Sequence, residues 1–252
     1  KQANLDSLIY PKGVYYWPDV KFLKEFKFFE CSSLQFVKSS ALEFKEKSSA
    51  DELSNILNSG GCNLGNGPCL YHGLVKKQIL DDIYSKFGSY VLGYSPDMSF
   101  TITLLLEKEK FHFTDVCLTI PGASFNSAAG MGRRGKHSTT LENLPDITPK
   151  KMLEDWDENL PRIWNGYTFN AISIYAVLKR YEIKKTINYI AQYKKILSEN
   201  IYDFKFIKKI NRFVNFSISV KLRIYSYGFI KFYFYKLYNI LPSTIKNKLI
   251  VN

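Results

Sequence analysis

The stretch "CLYHGLVKKQILDDIYSKFGSYVLGYSPDMSFTITLLL", Cys69 to Leu106, decides the fold class. It opens as a brief apolar strand and turns into a helix, with Leu74, Ile79, Leu80 and Ile83 apolar and Gly88 at the helix end. "SYVLGY" is short, aromatic and β-prone, which predicts a second strand. Beyond it Met98, Ile102, Leu105 and Leu106 follow helical spacing, and Pro96 suits a first turn because its missing N–H would have no intrahelical partner. This leaves Asp97 at a helix N-terminus just past a strand end. The helix dipole favours a carboxylate there by about 0.3–1 kcal/mol, a sufficient structural reason for an acid; chemistry is the other reading.

The flanking segments extend this pattern. Upstream, "SSADELSNILNSGG" reads as a helix capped by Ser49, with Glu52 in capping-box position, Leu53, Ile56 and Leu57 on one face and Gly60 at the end. Phe22, Phe26 and Phe29 recur at helical spacing among lysines, as an amphipathic helix or a short helix plus strand. Downstream, "KFHFTDVCLTIPG" alternates like a strand or hairpin arm. "GASFNSAAGMGRRGKHSTT", Gly122 to Thr140, has four glycines, small residues and three cations, and is a basic loop. Helical patterns return with Met152, Leu153 and Trp156, then Ile172, Tyr175, Ala176 and Leu178. Strands occupy the middle and helices the second half, so the class is α/β or α+β; the expectation taken forward is α/β, a mixed sheet with flanking helices followed by a helical C-terminal region. Three regions follow: 1–145, a helical extension 146–203, and a basic aromatic segment 204–252.

Composition narrows the function. At 252 residues and 46% hydrophobic content the chain can fill a sizeable core. Cys31, Cys62, Cys69 and Cys117 form no CxxC pair, so reduced thiols in a cytoplasm are the plain reading. The net charge is +12, but from Phe204 onward there are eight lysines, two arginines and no acid, leaving only +2 on the rest. The sequence begins at Lys1 without an initiator methionine or a recognisable signal or transit peptide, which points to a piece of something longer.

Two stretches can carry chemistry. In the basic loop, small residues let backbone N–H groups approach an anion while Arg133, Arg134 and Lys136 bond phosphate oxygens, with His137 joining them or a metal. A solvated basic loop is the alternative, since no P-loop or GxGxxG pattern is present. The second is Asp97, which meets His72 and the loop if the strand ends open on one edge of the sheet. There a carboxylate suits proton removal from an incoming hydroxyl as a diphosphate leaves. His72 otherwise is a packed or capping histidine. "DWDEN", Asp155 to Asn159, looks like an acidic metal motif, but Trp156 on the apolar stripe assigns it to a solvated helix face.

The order "YHGLVKKQILDDI", "YSPDMSF", "PGASFNSAAGMGRRGKHS" resembles the acceptor-side half of a family 2 glycosyltransferase of the GT-A fold, over roughly Cys69 to Leu144. In that family an Asp at a helix N-terminus is the base toward the acceptor hydroxyl, which implies Asp97. A later flexible basic loop closes over the donor diphosphate, which implies Arg133, Arg134, Lys136 and His137. Tyr71, His72 and Ser95 would then face the acceptor. The family's nucleotide-binding half ends in a DxD motif holding Mg2+ or Mn2+, and nothing of that kind precedes Lys1. The resemblance thus implies a partial GT-A-like sheet, a divalent cation with its main ligands outside this chain, and a fragment inactive alone. Its partners would be a nucleotide-sugar donor and a glycan or lipid-linked acceptor.

The last segment adds a surface. In "FKFIKKINRF" Lys205, Lys208, Lys209 and Arg212 share one helical face and Phe206, Ile210 and Phe213 another, a pattern suited to an anionic bilayer interface. "SISVKLRIY" alternates like a strand, and "YGFIKFYFYKLYNIL" is apolar but interrupted by Lys231 and Lys236, which favours lying on a membrane over crossing it. A packed helical cap and a nucleic-acid surface are the other readings. The membrane reading puts the protein at the inner, cytoplasmic face of the plasma membrane without a nucleic-acid partner. The alternative to a transferase is a non-catalytic basic module that binds membrane or nucleic acid.

Overall fold

The structure is a computed structural model and describes residues 5–20, 31–36, 43–127, 139–140, 150–199, 217–222, 224–227, 230 and 233. Its strands are β1 (Ser7–Ile9), β2 (Val14–Tyr16), β3 (Ser33–Gln35), β4 (Lys45–Ser48), β5 (Gly73–Val75), β6 (Lys110–Phe113), β7 (Gly122–Ala123), β8 (Thr139–Thr140) and β9 (Ile163–Trp164). Its helices are α1 (Ser49–Asn58), α2 (Lys77–Phe87), α3 (Pro96–Glu107), α4 (Lys150–Glu154), α5 (Gly166–Arg180) and α6 (Tyr189–Glu199). One sheet runs β4-β6-β1-β5 and a second β3-β2-β7, each mixing parallel and antiparallel pairs. The architecture is mixed α/β, as the sequence pattern predicts.

The two sheets are successive parts of one pair of strands. β1 runs parallel to β6, with Leu8 opposite His112 and Ile9 opposite Phe113. The same two chain segments continue side by side through Lys12 and Thr119 to β2 and β7, with Gly13 N–H donating to Thr119 O and Tyr15 N–H to Pro121 O. The carboxyl ends of β1 and β6 therefore point the same way.

α3 is the centre of the packing. Every residue from Met98 to Leu105 is buried, Ser99, Thr101 and Thr103 included. A helix apolar on one stripe faces solvent on the other; one buried all round must be covered on every side. Met98, Ile102 and Leu105 meet Leu53, Ile56 and Leu57 of α1 and Ala171, Ile172 and Val177 of α5 in one core. Leu104 meets Ile79 and Ile83 of α2 on another side. Because that core takes side chains from both 43–127 and 150–199, the helical extension packs as part of the same unit.

Four local readings change on folding. Ser48, not Ser49, caps α1 by accepting from Asp51 N–H at 3.2 Å. Glu52, freed from a capping box, accepts from Asn66 N–H at 2.6 Å and so ties down the 64–67 turn. "SYVLGY" is not a strand: Leu92 and Gly93 N–H both donate to Ser99 Oγ, at 2.9 and 2.8 Å, so side-chain oxygens take the donors a ladder would need. Within "SISVKLRIY", residues 218–222 and 224–227 are helical, with Lys221 N–H donating to Ser217 O and Ile224 buried against α6, so packing overrides the alternation. The predicted amphipathic segment at 21–30 and "FKFIKKINRF" lie outside the described residues. No helix among the described residues is long and apolar enough to cross a membrane.

Ser99→Ala should leave two N–H groups of the 92–93 turn without an acceptor and lower stability by at least about 1–3 kcal/mol. Ser54→Ala, on the exposed side of α1, should change it by less than about 0.5 kcal/mol. Urea unfolding midpoints compare the two directly.

Candidate functional site

Asp97 is set by the turn before it. Ser95 is the N-cap residue of α3 and makes no side-chain cap bond; its backbone N–H instead donates to Ser173 Oγ on α5 at 2.5 Å, and its carbonyl accepts Ser99 N–H at 2.8 Å. The Ser173 hydroxyl donates onward to Phe169 O at 2.7 Å. Gly93 lies against that same residue: a Cβ there would stand 2.7 Å from Ser173 O, so only glycine allows the approach. Pro96 then opens the helix and Asp97 falls in its first turn, half-buried.

The opposite wall comes from the sheet. Ile9 pairs with Gly73 in the antiparallel β1–β5 register, so His72 lies beside the chain just past the carboxyl end of β1. A Cβ on Gly73 would sit 2.2 Å from Cys69 O and 2.9 Å from Leu8 O, which makes glycine necessary for this turn to close. The turn brings the buried Cys69 thiol to Asp97, with Sγ 4.0 Å from Oδ1, a weak bond in which sulfur donates. Lys12, exposed where β1 leads into β2, contributes its positive charge to the fields at both Cys69 and His72.

The electrostatics follow from this placement. Burial, and then the Asp97 carboxylate, push the Cys69 thiol above its ordinary value against the opposing N–H groups of His72 and Tyr71, so it is a neutral thiol near pH 7. Burial, and then the Lys12 ammonium, hold the His72 imidazole below its ordinary value, and Asp97 offsets part of this. At neutral pH the imidazole is uncharged and able both to donate and to accept a hydrogen bond. Among the described residues Asp97 has no ion-pair partner, and the thiol is its one hydrogen-bonding contact.

Of the residues singled out from the sequence, Asp97 and His72 come together, with Tyr71 59% exposed next to them. Ser95 is buried and bonds in the turn through its backbone N–H and carbonyl. Arg133, Arg134, Lys136 and His137 lie outside the described residues. The chain enters that loop from β7 through a turn at Ser124–Ser127, where Phe125 N–H donates to Asp19 Oδ2 at 3.3 Å. Sequence reasoning missed Cys69 and Lys12. Cys69 stands three residues before His72 in the opening stretch, but nothing in the sequence pairs Lys12 with a histidine sixty positions on.

"DWDEN" is not a solvated helix face. α4 ends at Glu154, and the carboxylates that follow serve tyrosines: Asp155 accepts from Tyr94 at 2.6 Å and Lys179 at 3.1 Å, and Asp157 from Tyr189 at 3.1 Å. The Tyr94 bond, then the Lys179 contacts, hold Asp155 below the usual carboxylate value despite its burial, while burial and Asp155 together raise the Tyr94 phenol. Among the described residues no group of three or more His, Cys, Asp and Glu side chains could hold a metal ion.

Compared with known proteins, the chain matches no family model, no curated protein and no solved structure.

The arrangement fixes the sign of two shifts. The His72 ring should titrate with a midpoint below 6.5 by NMR, moving up in Lys12→Ala and further down in Asp97→Asn. Since its folded value lies below its unfolded one, the unfolded chain binds more protons in that window, and His72 should contribute to stability lost as pH falls below about 6.5.

Proposed function

We propose that this chain is the acceptor-side part of a glycosyltransferase that moves a sugar from a nucleotide-sugar donor to a hydroxyl of a glycan or lipid-linked acceptor, with Asp97 as general base. The observation that carries this reading is the state of Asp97: a half-buried carboxylate at a helix N-terminus, without a cation paired to it among the described residues, beside a neutral thiol and a neutral imidazole. Its place past the carboxyl end of β1 is where ligands enter open α/β sheets.

The proposed step balances as follows. An acceptor hydroxyl gives its proton to Asp97 as its oxygen forms a bond to the anomeric carbon of the donor. The bond from that carbon to the diphosphate oxygen breaks, and the electron pair leaves with the nucleoside diphosphate. Arg133, Arg134, Lys136 and His137, by the resemblance of their loop, are assigned to the departing charge. Tyr71 and His72 are assigned to the acceptor: an exposed ring for a sugar face, and an uncharged imidazole for a neighbouring hydroxyl. The divalent cation that the resemblance implies would stabilise charge on the diphosphate; its ligands are assigned outside this chain, and no step here runs through it.

In the full-length gene product, assayed for nucleoside diphosphate release across a panel of nucleotide sugars, Asp97→Asn should lower kcat by about 10²–10⁴-fold. Donor affinity measured by calorimetry should stay the same. Full turnover in the variant removes Asp97 from the chemistry, and loss of donor binding assigns it to the donor instead.

A further inference from the structure

The sheet β3-β2-β7 buries one face and leaves the other open. Val14 and Tyr16 of β2 turn inward to pack with Val20 and Ala123. The alternate residues Tyr15 and Trp17 turn outward, with Leu34 of β3 and Gly122 of β7 directly opposite Tyr15. On that outer face Trp17 does not stand up from the sheet. A Cβ on Gly122 would lie 2.7 Å from Trp17 Nε1 and 3.5 Å from its Cδ1, so the indole lies across the bare Gly122 backbone. Ile120 lies over Gly13 in the same way, its Cγ1 3.3 Å from where a Cβ would be. The Tyr15 ring meets the indole with centroids 5.8 Å apart and planes at 70°, which steadies it from the side. Trp17 is nevertheless 50% exposed, and Leu34 and Ile120 are 47 and 58% exposed. Among the described residues neither the indole N–H nor the Tyr15 hydroxyl has a hydrogen-bond partner.

We propose that this face is a carbohydrate-binding platform for an uncharged glycan chain of equatorially substituted pyranose rings. Such a ring presents C–H groups on its faces and hydroxyls around its rim. A flat indole with a polar group at its edge is the complement: the Trp17 face takes the C–H groups, while its N–H and the Tyr15 hydroxyl bond rim hydroxyls. Charge decides against two other occupants, because Tyr15, Trp17, Leu34, Ile120, Gly13 and Gly122 carry none. Single-stranded nucleic acid stacks on aromatic rings but needs cations along its phosphates. An anionic bilayer needs them at its headgroups. Area decides against a second copy of the chain: four partly exposed side chains offer on the order of 400 Å², about half of the roughly 800 Å² per partner that a stable dimer buries.

The platform uses nothing of Asp97, so the two readings stand or fall separately. Cellohexaose and chitohexaose, titrated calorimetrically into the 252-residue chain, are the probes, and at least one should bind and shift the tryptophan fluorescence. Trp17→Ala should weaken that binding about tenfold or more. Gly122→Ala keeps the indole but puts a Cβ where it lies, and should weaken binding about threefold or more with an unchanged circular dichroism melt, because the atoms displaced belong to an exposed side chain. That variant decides the matter if Trp17→Ala lowers the melt. Tyr84→Ala, in the exposed Tyr84–Tyr90 stack on α2, should bind as the parent chain does. Absence of binding by both oligosaccharides up to their solubility overturns the proposal, as does binding that survives Trp17→Ala and Gly122→Ala or falls equally in Tyr84→Ala. So does binding of polyuridylate without either sugar, or a dimer that Trp17→Ala dissociates while the sugars are ignored.

Discussion

Two buried hydroxyls, Ser99 on α3 and Ser173 on α5, hold the rest of the arrangement in place. A helix buried on all sides cannot close its first turn with water, so its free N–H groups and those of the chain entering it need protein acceptors. Ser99 accepts from Leu92 and Gly93, and Ser173 accepts from Ser95, which satisfies the entering turn with only two small side chains. Their smallness matters as much as their oxygens. Gly93 lies against the Ser173 backbone where a Cβ has no room, so α3 and α5 can approach only because no bulk separates them at this point. The direction in which α3 leaves that turn decides where Asp97 faces.

Four other acids of the chain are each bound by a cation. Asp6 is bound by Lys76 and Lys108, Glu107 by Lys86 and Tyr181, Asp155 by Tyr94 and Lys179, and Glu46 by Lys110. Each of these carboxylates is engaged in joining elements. Asp97 faces a thiol that burial keeps protonated, and the charge of Lys12 acts through space on its neighbours His72 and Cys69. A helix N-terminus favours the ionised form without neutralising it. Asp97 is thereby held in position by the turn with no cation bound to it among the described residues.

Helices were largely legible in the sequence, because apolar period and end signals agree over ten or more residues: α1, α2 and α3 fall where Leu53, Ile79 and Met98 predict, and Gly88 closes α2 in the left-handed conformation. The strand expected at "SYVLGY" failed for a reason invisible locally. The N–H groups of Leu92 and Gly93 go to Ser99, seven and six residues on, and that of Ser95, just after the stretch, goes to Ser173, seventy-eight residues away. The same limit applies to the site. Asp97 and His72 could be picked out from strand ends and a helix start, but Lys12 joins them only through the β1–β5 register, which pairs Ile9 with Gly73. The capping of α5 by Asn165 and Thr168 shows the converse: its signal, an Asn with a Thr three residues on, was present in the sequence, though Thr is not the usual partner at that position.

The helix pair α5 and α6 ties the Asp97 turn to the helical residues that follow Ser217. α5 grips the Asp97 turn through Ser173 and meets α6 at two places, its N-terminal turn, where Gln192 Nε2 donates to Tyr167 O, and its second half, where the Tyr175 hydroxyl donates to Tyr189 Oη at 2.7 Å. α6 in turn seats Ile224 of the following helix among Tyr193, Ile196 and Leu197. From the Asp97 turn to Ile224 the connection therefore runs through packed side chains and hydrogen bonds contributed by α5 and α6, so a change at the α5–α6 contact reaches the turn that sets Asp97.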